Sequence, residues 1–310
     1  MGNTSVPLYV MAYAPIVVLD KGDLYYPSDL ASHVANTHPT VNFTSIEGVP
    51  SPLSLVNLDS LNALGGDNVY LTSTHNVLKL PKFINGKKPD ARTLQTKDAI
   101  SSVIICVDKG NGILDAFYIY FYSFNEGPVA IGHRIGNHLG DWEHNMVRFQ
   151  DGKPVAVWFS QHEYGDAYTY EAVQKVNNRP IVFSARGSHA NYAKVGKHDL
   201  HDQDEKIPKR IVYDHTSYGP LWDPTLSAYY YTFSMNSKEL FPGMDDMPVS
   251  FLNFQGWWGD QQYGDDIVGQ EWYYGFYKWT GGPQGPIFKH LDRQDVCLPS
   301  RPVCIIKKHI

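Results

Sequence analysis

The stretch HLGDWEHNMVRFQDGKPVAVWFSQH, residues 138 to 162, carries most of what the sequence says about fold and chemistry. Its middle reads as a hairpin. Asp151-Gly152 is a favoured two-residue turn, and the runs on either side, EHNMVRF and PVAVWFSQH, are β-branched or aromatic. Its first end crowds His138, Asp141, Glu143 and His144 around Trp142. Strand side chains alternate, so Asp141 and Glu143 share one face while Trp142 and His144 take the other. Gly140 permits a sharp turn that brings His138 round to the carboxylates. Four ionisable groups at the mouth of an apolar strand predict a divalent-metal site.

Working outward, the runs SSVIICVD (101–108), AFYIYFYSF (116–124), PIVFSAR (180–186), AYYYTFSM (228–235) and EWYYGFYKW (271–279) are all short and strand-like. Gly, Asn, Asp or Pro bounds each of them. Upstream, YVMAYAPIVVLD (9–20) reads as a buried strand. YYPSDLASHVANTH (25–38) reads as a short helix, with Ser28-Asp29 at its N-cap and Leu30, Val34 and Ala35 on one face. INGKKPDARTLQTKD (84–98) is a polar loop. No internal repeat and no Pro- or Ser-rich linker interrupts the chain. The expectation is one domain over residues 1–310, mainly β, an antiparallel β-sandwich with small peripheral helices. The first hundred residues are the least clearly patterned part of it.

Composition narrows the function classes. Apolar residues make up 43% and aromatics 14%, enough for a real core. Tyrosine, at 21 residues, suits strands and a polar aromatic binding surface. A formal charge of −6 and the lack of any basic-aromatic motif argue against nucleic acid. The most apolar stretch, GILDAFYIYFYSF (112–124), contains Asp115 and is too short to span a bilayer. The amino terminus shows no basic region and no cleavage site, and Val6 stands where a myristoylation motif wants Ser or Thr. Cys106 reads as a buried thiol, and Cys297 and Cys304 could pair across a short loop; three cysteines make no disulfide framework. These features predict a cytoplasmic or otherwise intracellular protein. No amphipathic interface fixes an oligomeric state.

Two further strands end in polar groups. PVAVWFSQH closes on Gln161 and His162, and RPIVFSARGSHANY (179–192) delivers Arg186, Ser188 and His189 after a Gly-bearing turn. In a meander these ends point in opposite directions. They meet only through long connections or a change of sheet. Each histidine alone reads as a hydrogen-bonded strand-end residue, and an Asp–Glu pair alone as a solvated face; the clustering is what points to a site. Two carboxylates and three imidazoles suit a borderline cation better than Ca²⁺, but Mg, Mn, Ca, Fe and Zn are not distinguished.

The segments HLGDWEH (138–144), WFSQH (158–162), ARGSHANY (185–192), YDHTSYGPLWDP (213–224) and GGPQGP (281–286) resemble the vacuolar protein sorting-associated protein 62 family. The matches run from about residue 115 to residue 290. A more distant resemblance is to the necrosis- and ethylene-inducing peptide-like proteins, whose hallmark is Gly-His-Arg-His-Asp-Trp-Glu. That resemblance implies a divalent cation on a β-sandwich, held by His138, Asp141 and Glu143 with downstream His162 and His189. An acidic residue before the motif is also implied, and Glu126 is the nearest. This chain departs from the hallmark, with Leu139-Gly140 in place of Arg-His, and its own Gly-His-Arg at 132–134 lies too early to place His133 in the set.

KHDLHDQDE (197–205) could bind a second metal or be a solvated charged loop. Asp214, Trp222 and Asp223 could brace the sandwich or line a cleft, and the aromatic run around Trp258 could stack on a ligand ring. No phosphate-cradling Gly loop and no nucleophile elbow occurs. Two functions follow as expectations. The first is a metal-dependent enzyme of hydrolase, lyase or cyclase type, acting on a small oxygenated or anionic substrate. There His144, Arg186 and Gln161 would assist the metal ligands, and Ser188, Trp258 and Asp214 would contact substrate. The second is a non-catalytic, metal-dependent protein that binds a lipid headgroup or glycan.

Overall fold

The computed structural model describes residues 6–202, 207–273, 275–300 and 303–310. Its frame is an eight-stranded sheet. The strands lie in the order Leu240–Pro242, Ala228–Phe233, Ser102–Gly110, Ile113–Asn125, His138–Gln150, Lys153–Gln161, Tyr164–Thr169 and Ile306–Lys307. The four joins from Ser102–Gly110 to Tyr164–Thr169 are antiparallel. The hairpin at 151–152 forms as its sequence predicts, with φ +49° at Asp151 and +76° at Gly152, the left-handed pair that matches strand twist. Asn111-Gly112 makes the same turn one hairpin earlier.

The sheet is not wholly antiparallel. Ala228–Phe233 joins Ser102–Gly110 in parallel, as Ile306–Lys307 joins Tyr164–Thr169. A strand that returns to an edge after a long excursion has no hairpin to dictate its direction.

The Ile113–Asn125 strand shows why this sheet lies in the middle of the molecule. Ala116, Tyr118, Tyr120 and Tyr122 enter one core, and Phe117, Ile119 and Phe121 enter another. Over the tyrosine face lies a second, smaller sheet of Lys175–Val176, Arg179–Ser184, Ile16–Val18, Leu221–Trp222 and Asn191–Tyr192. Val17, Leu19, Val182 and Trp222 seal it to the large one. Tyr118 and Tyr120 satisfy their buried hydroxyls on the Val10 carbonyl (2.6 Å) and Asn145 (3.0 Å). The other face is covered by the helix Leu30–Ala35, the turn Leu58–Ala63 and the helix Ser250–Asn253. The first hundred residues therefore feed both cores.

Three local expectations need correction. YVMAYAPIVVLD divides into a one-turn helix, Leu8–Ala12, and a three-residue strand, Ile16–Val18. Pro15 forces the extended approach that separates them. The Leu30–Ala35 helix is capped by Asp29 as predicted, but it buries Leu30, His33 and Val34 and leaves Ala35 in solvent. His33 tolerates burial because its ring nitrogens reach Ser123 (3.1 Å) and the Trp258 carbonyl (3.0 Å). EWYYGFYKW gives only the short strands Trp272–Tyr273 and Phe276–Tyr277, outside both sheets.

Cys297 and Cys304 are joined by a disulfide, and Cys106 is a buried free thiol. Among the described residues, no helix is long and apolar enough to cross a membrane.

Trp142 stands at the centre of the second core, edge-on to Trp258 at 5.1 Å and against Phe121 at 4.6 Å. Trp142→Ala should destabilise the protein by about 3–5 kcal/mol. Denaturant unfolding measures this, and a loss below about 1 kcal/mol would place the core elsewhere.

Candidate functional site

Asp141 and Glu143 point into the tyrosine face, opposite Tyr122 and Tyr120 of the neighbouring strand, and are only 5% and 6% exposed. Trp142 lies in the other core, as alternation requires. Gly140 breaks the alternation at the strand's start. Its φ is +69°, and a Cβ there would sit 2.0 Å from the Trp258 carbonyl oxygen. Past this kink His138 rejoins the side of Asp141, and its Nδ1–H donates to the Gly140 carbonyl at 2.7 Å. That bond fixes the tautomer and leaves the Nε2 lone pair free.

The third strand reaches the site by changing sheet. Arg179–Ser184 belongs to the smaller sheet, laid over the tyrosine face, and its exit turn drops His189 onto Asp141. The turn closes through the Ala185 N–H on the Ala190 carbonyl and the His189 N–H on the Ala185 carbonyl. His189 itself sits at φ +55°. Its ring stacks flat on Tyr122 at 3.7 Å. Nδ1 donates to Asp141 Oδ2 at 2.8 Å, and Nε2 donates to the Tyr25 carbonyl at 3.1 Å, with Asp23 Oδ2 3.6 Å away. Both nitrogens face acceptors, an arrangement that favours the imidazolium. Burial works to lower its pKa, but the hydrogen bond to Asp141 and the charges of Asp23 and Asp141 outweigh burial and raise it.

A second histidine–carboxylate pair stands beside the first. His162 Nε2 donates to Asp214 Oδ2 at 2.9 Å. Asp214 also accepts from Ser188 Oγ (2.7 Å) and the Tyr192 hydroxyl (2.8 Å). Burial opposes ionisation of Asp214, yet His162 and these donors hold its pKa below the usual carboxylate value. For His162, burial is likewise outweighed by Asp214, Glu143 and Asp141, and the pKa rises to about 9. A third of the His162 side chain meets solvent, so water screens part of that effect. Glu143 takes one bond from Ser160 Oγ at 2.7 Å. Burial, then the charge of Asp141, push it up to about 8. His138 moves the other way, because burial outweighs Asp141.

His138 and His162 also line a cavity of about 390 Å³, with Asn125, Ile135, Tyr164 and Tyr277 among its walls. Asp141 and Glu143 are not in the wall, but the two histidines that are feel their charge. The structure thus gathers His138, Asp141, Glu143, His162 and His189, with Ser188 and Asp214 as braces. The donor chemistry suits a divalent ion: two carboxylates crowd together, and His138 keeps a free, oriented nitrogen. Among the described residues, however, no three His, Cys, Asp or Glu side chains already close on a common point. His189 has both nitrogens engaged and orients Asp141.

Other predicted site residues lie apart. Glu126 pairs with Arg134 at 3.1 Å and shares with Arg186 a second cavity, of about 420 Å³. Gln161 is buried and donates to the Asn191 carbonyl at 3.0 Å. His144 lies on the far face against Phe117, with Arg293 Nη2 3.4 Å from its Nε2. Burial, then Arg293, drive its pKa well below the usual value, so it is a packed neutral ring. Trp258 is fully buried between His33 and Trp142, with no face to offer a ligand. Trp222 is core, and Asp223 pairs with Arg179. His133 stacks on Tyr273. In 197–205, His198 packs on Tyr192, while residues 203–205 fall outside the described residues. Sequence reasoning missed Ser160, Asp23 and the Tyr25 carbonyl. Ser160 could have been found beside Gln161-His162; the other two carry no sequence signal.

The His162–Asp214 pair has a defined pH signature. Its folded-state pKa exceeds the unfolded value of about 6.5, so its stabilisation is complete below that pH and is lost as pH rises through about 9. The melting-temperature gap between the wild type and His162→Gln should narrow over that interval. A gap independent of pH would mean that the pair is not ionised.

The family model described as Vacuolar protein sorting-associated protein 62 matches residues 116–211, which include His138, Asp141, Glu143, His162, Ser188 and His189 but not Asp214. Putative vacuolar protein sorting-associated protein TDA6 of Saccharomyces cerevisiae is 38% identical over 94% of this chain and 68% of its own length. Vacuolar protein sorting-associated protein 62 of the same yeast is 34% identical over the same shares. Among solved structures, Necrosis and Ethylene inducing Protein 2 from the causal agent of cocoa's Witches Broom disease is similar over 62% of this chain and 70% of its own. Its identity is 15% and its TM-score 0.31. NLPPya in complex with mannosamine is similar over 72% of both chains, at 11% identity and a TM-score of 0.30. On the extent and identity of the yeast matches, the chain belongs to the vacuolar protein sorting-associated protein 62 family.

Proposed function

We propose that the cavity walled by His138 and His162 is the active site of a divalent-metal-dependent enzyme acting on a small oxygenated substrate, by hydrolase, lyase or cyclase chemistry. The observation that carries this reading is the placement of two buried, adjacent carboxylates beside the two histidines of the cavity wall. Asp141, Glu143 and His138 would hold the ion, with His162 next to them. When bound, the ion would polarise a ligand oxygen.

The chain's own residues supply the rest. His189 fixes Asp141 through one short hydrogen bond and keeps it from turning away. His162, oriented by Asp214, can hold or release a proton at its free Nδ1. Glu143, whose pKa is raised to about 8 by burial and by Asp141, would give up its proton to become a ligand of the ion. Ile135, Val212 and Phe276 give the cavity apolar walls. In this reading proton transfer passes to His162, because His144 and Gln161 are sequestered elsewhere.

The second reading, metal-dependent binding of a glycan or lipid headgroup without turnover, is favoured by Tyr164, Phe276 and Tyr277 in the wall, since aromatic faces suit sugar rings. An intracellular location remains part of the proposal. The Cys297–Cys304 bond points within the cell to an oxidising lumen rather than the reducing cytosol.

Titration of metal-free protein with Mn²⁺ and Zn²⁺ tests the site. The wild type should bind one ion, more tightly as pH rises and Glu143 loses its proton. Asp141→Asn and Glu143→Gln should each weaken binding by roughly tenfold or more with little loss of fold. Unchanged affinity in both variants would reduce the carboxylates to scaffolding. Turnover of chromogenic esters, glycosides or phosphodiesters that a chelator abolishes would support the enzyme. Ligand binding without turnover would leave the second reading.

A further inference from the structure

The cavity that contains Arg186 is separate from the one walled by His138 and His162. Pro128 lines both, and the segment 211–213 divides them: Ile211 and Tyr213 face one cavity, and Val212 faces the other. The second cavity is ringed by Arg134, Arg186, Lys197 and His215, with Glu126 its one carboxylate. Glu126 is already spent on Arg134, whose Nη1 lies 3.1 Å from Oε2 and also donates to the Gly127 carbonyl at 2.7 Å. Arg186 makes no guanidinium hydrogen bond or ion pair among the described residues; its Cζ and Nη1 lie beside Gly22, near an Asp20 carboxylate that already accepts from the Gly22 N–H and Ser217 Oγ. The Lys197 ammonium rests 3.5 Å from the centre of the Tyr213 ring and has no carboxylate partner there. Two cations therefore face one concave space, in a chain whose net charge is −6.

The backbone under Arg186 is held on three sides. The Arg186 N–H donates to the His215 carbonyl at 2.9 Å, the Gly187 N–H to Asp23 Oδ2 at 3.1 Å, and the Glu126 N–H to the Gly187 carbonyl at 2.9 Å. Gly187 has φ +77°, and a Cβ there would lie 2.5 Å from the Glu126 carbonyl oxygen. Only glycine lets the turn pack so closely. The guanidinium thus springs from a fixed base, and binding costs only the freedom of its own side chain.

We infer that this cavity binds a phosphate monoester, with Arg186 forking onto two of its oxygens and Lys197 neutralising the third. A guanidinium matches the planar spacing of phosphate oxygens, and an ammonium serves as a point charge beside it. A volume of about 420 Å³ admits the phosphate and the group that carries it. The carrier is either a soluble ester or a phosphorylated lipid headgroup. The site is independent of the cation proposed for the other cavity.

The full-length protein is titrated at low salt with inorganic phosphate, with glycerol phosphate, and with phosphatidylcholine vesicles with and without phosphatidic acid. The same titrations follow for Arg186→Gln and Lys197→Gln, both exposed positions whose substitution leaves the melting temperature unchanged. Binding that weakens about tenfold or more in each variant, and that fades with added salt, supports the site. Binding of the soluble esters assigns it to a soluble ligand, and binding only to phosphatidic acid vesicles assigns it to a headgroup. No binding to any probe, or binding that both variants retain, overturns the proposal. So does phosphate binding that a chelator or Asp141→Asn abolishes while Arg186→Gln does not, because the anion would then ride on a cation in the neighbouring cavity. Loss of cation binding alone leaves this site standing.

Discussion

The doubly donating imidazole of His189 is the contact on which the arrangement depends. It joins the two sheets by stacking on Tyr122 of one while hanging from the exit turn of the other. It also donates to Asp141 and to the Tyr25 carbonyl, both buried, and faces the charge of Asp23 at 3.6 Å. Asp23 in turn anchors the Gly187 N–H, and Ser188, one residue before the histidine, braces Asp214 and through it His162. A short loop thereby positions the walls of both cavities.

Such a chain of buried charges is costly unless each member is matched. Burial, and then the negative charge of Asp141 beside it, raise the pKa of Glu143. His189 neutralises part of that charge, and His162 faces the remainder from the cavity wall. A cation or a proton can take up what is left. The reading as a metal site and the reading as an acid–base site thus have the same physical origin.

The fold was legible where local rules dominate. Apolar runs bounded by turn residues located five of the eight strands of the large sheet but not Tyr164–Thr169, Leu240–Pro242 or Ile306–Lys307; the Asp151-Gly152 turn joined two of the five, and Asp29 capped its helix. Where long-range contacts decide, the sequence was silent. Nothing in PIVFSAR reveals that it leaves the large sheet to pair in parallel with Ile16–Val18, and that change of sheet is what lets His189 meet Asp141. Alternation correctly separated Asp141 and Glu143 from Trp142, and Gly140 bends the strand as its freedom suggested. Arg186 sits only three residues from His189, yet it opens into a different cavity. The aromatic segment around Trp258 suited either a ligand platform or the core, and tertiary packing buries Trp258 completely.

The protonation state of His189 tests this account most directly. In nitrogen-resolved NMR spectra of the folded protein near neutral pH, both ring nitrogens should carry a proton, and the ring should titrate only above the ordinary histidine value of about 6.5. Asp141→Asn should move that titration downward, because the hydrogen-bonded carboxylate is the largest influence raising it. A neutral His189 at neutral pH, with one bare nitrogen and no response to Asp141→Asn, would contradict the clamp and the cluster built on it.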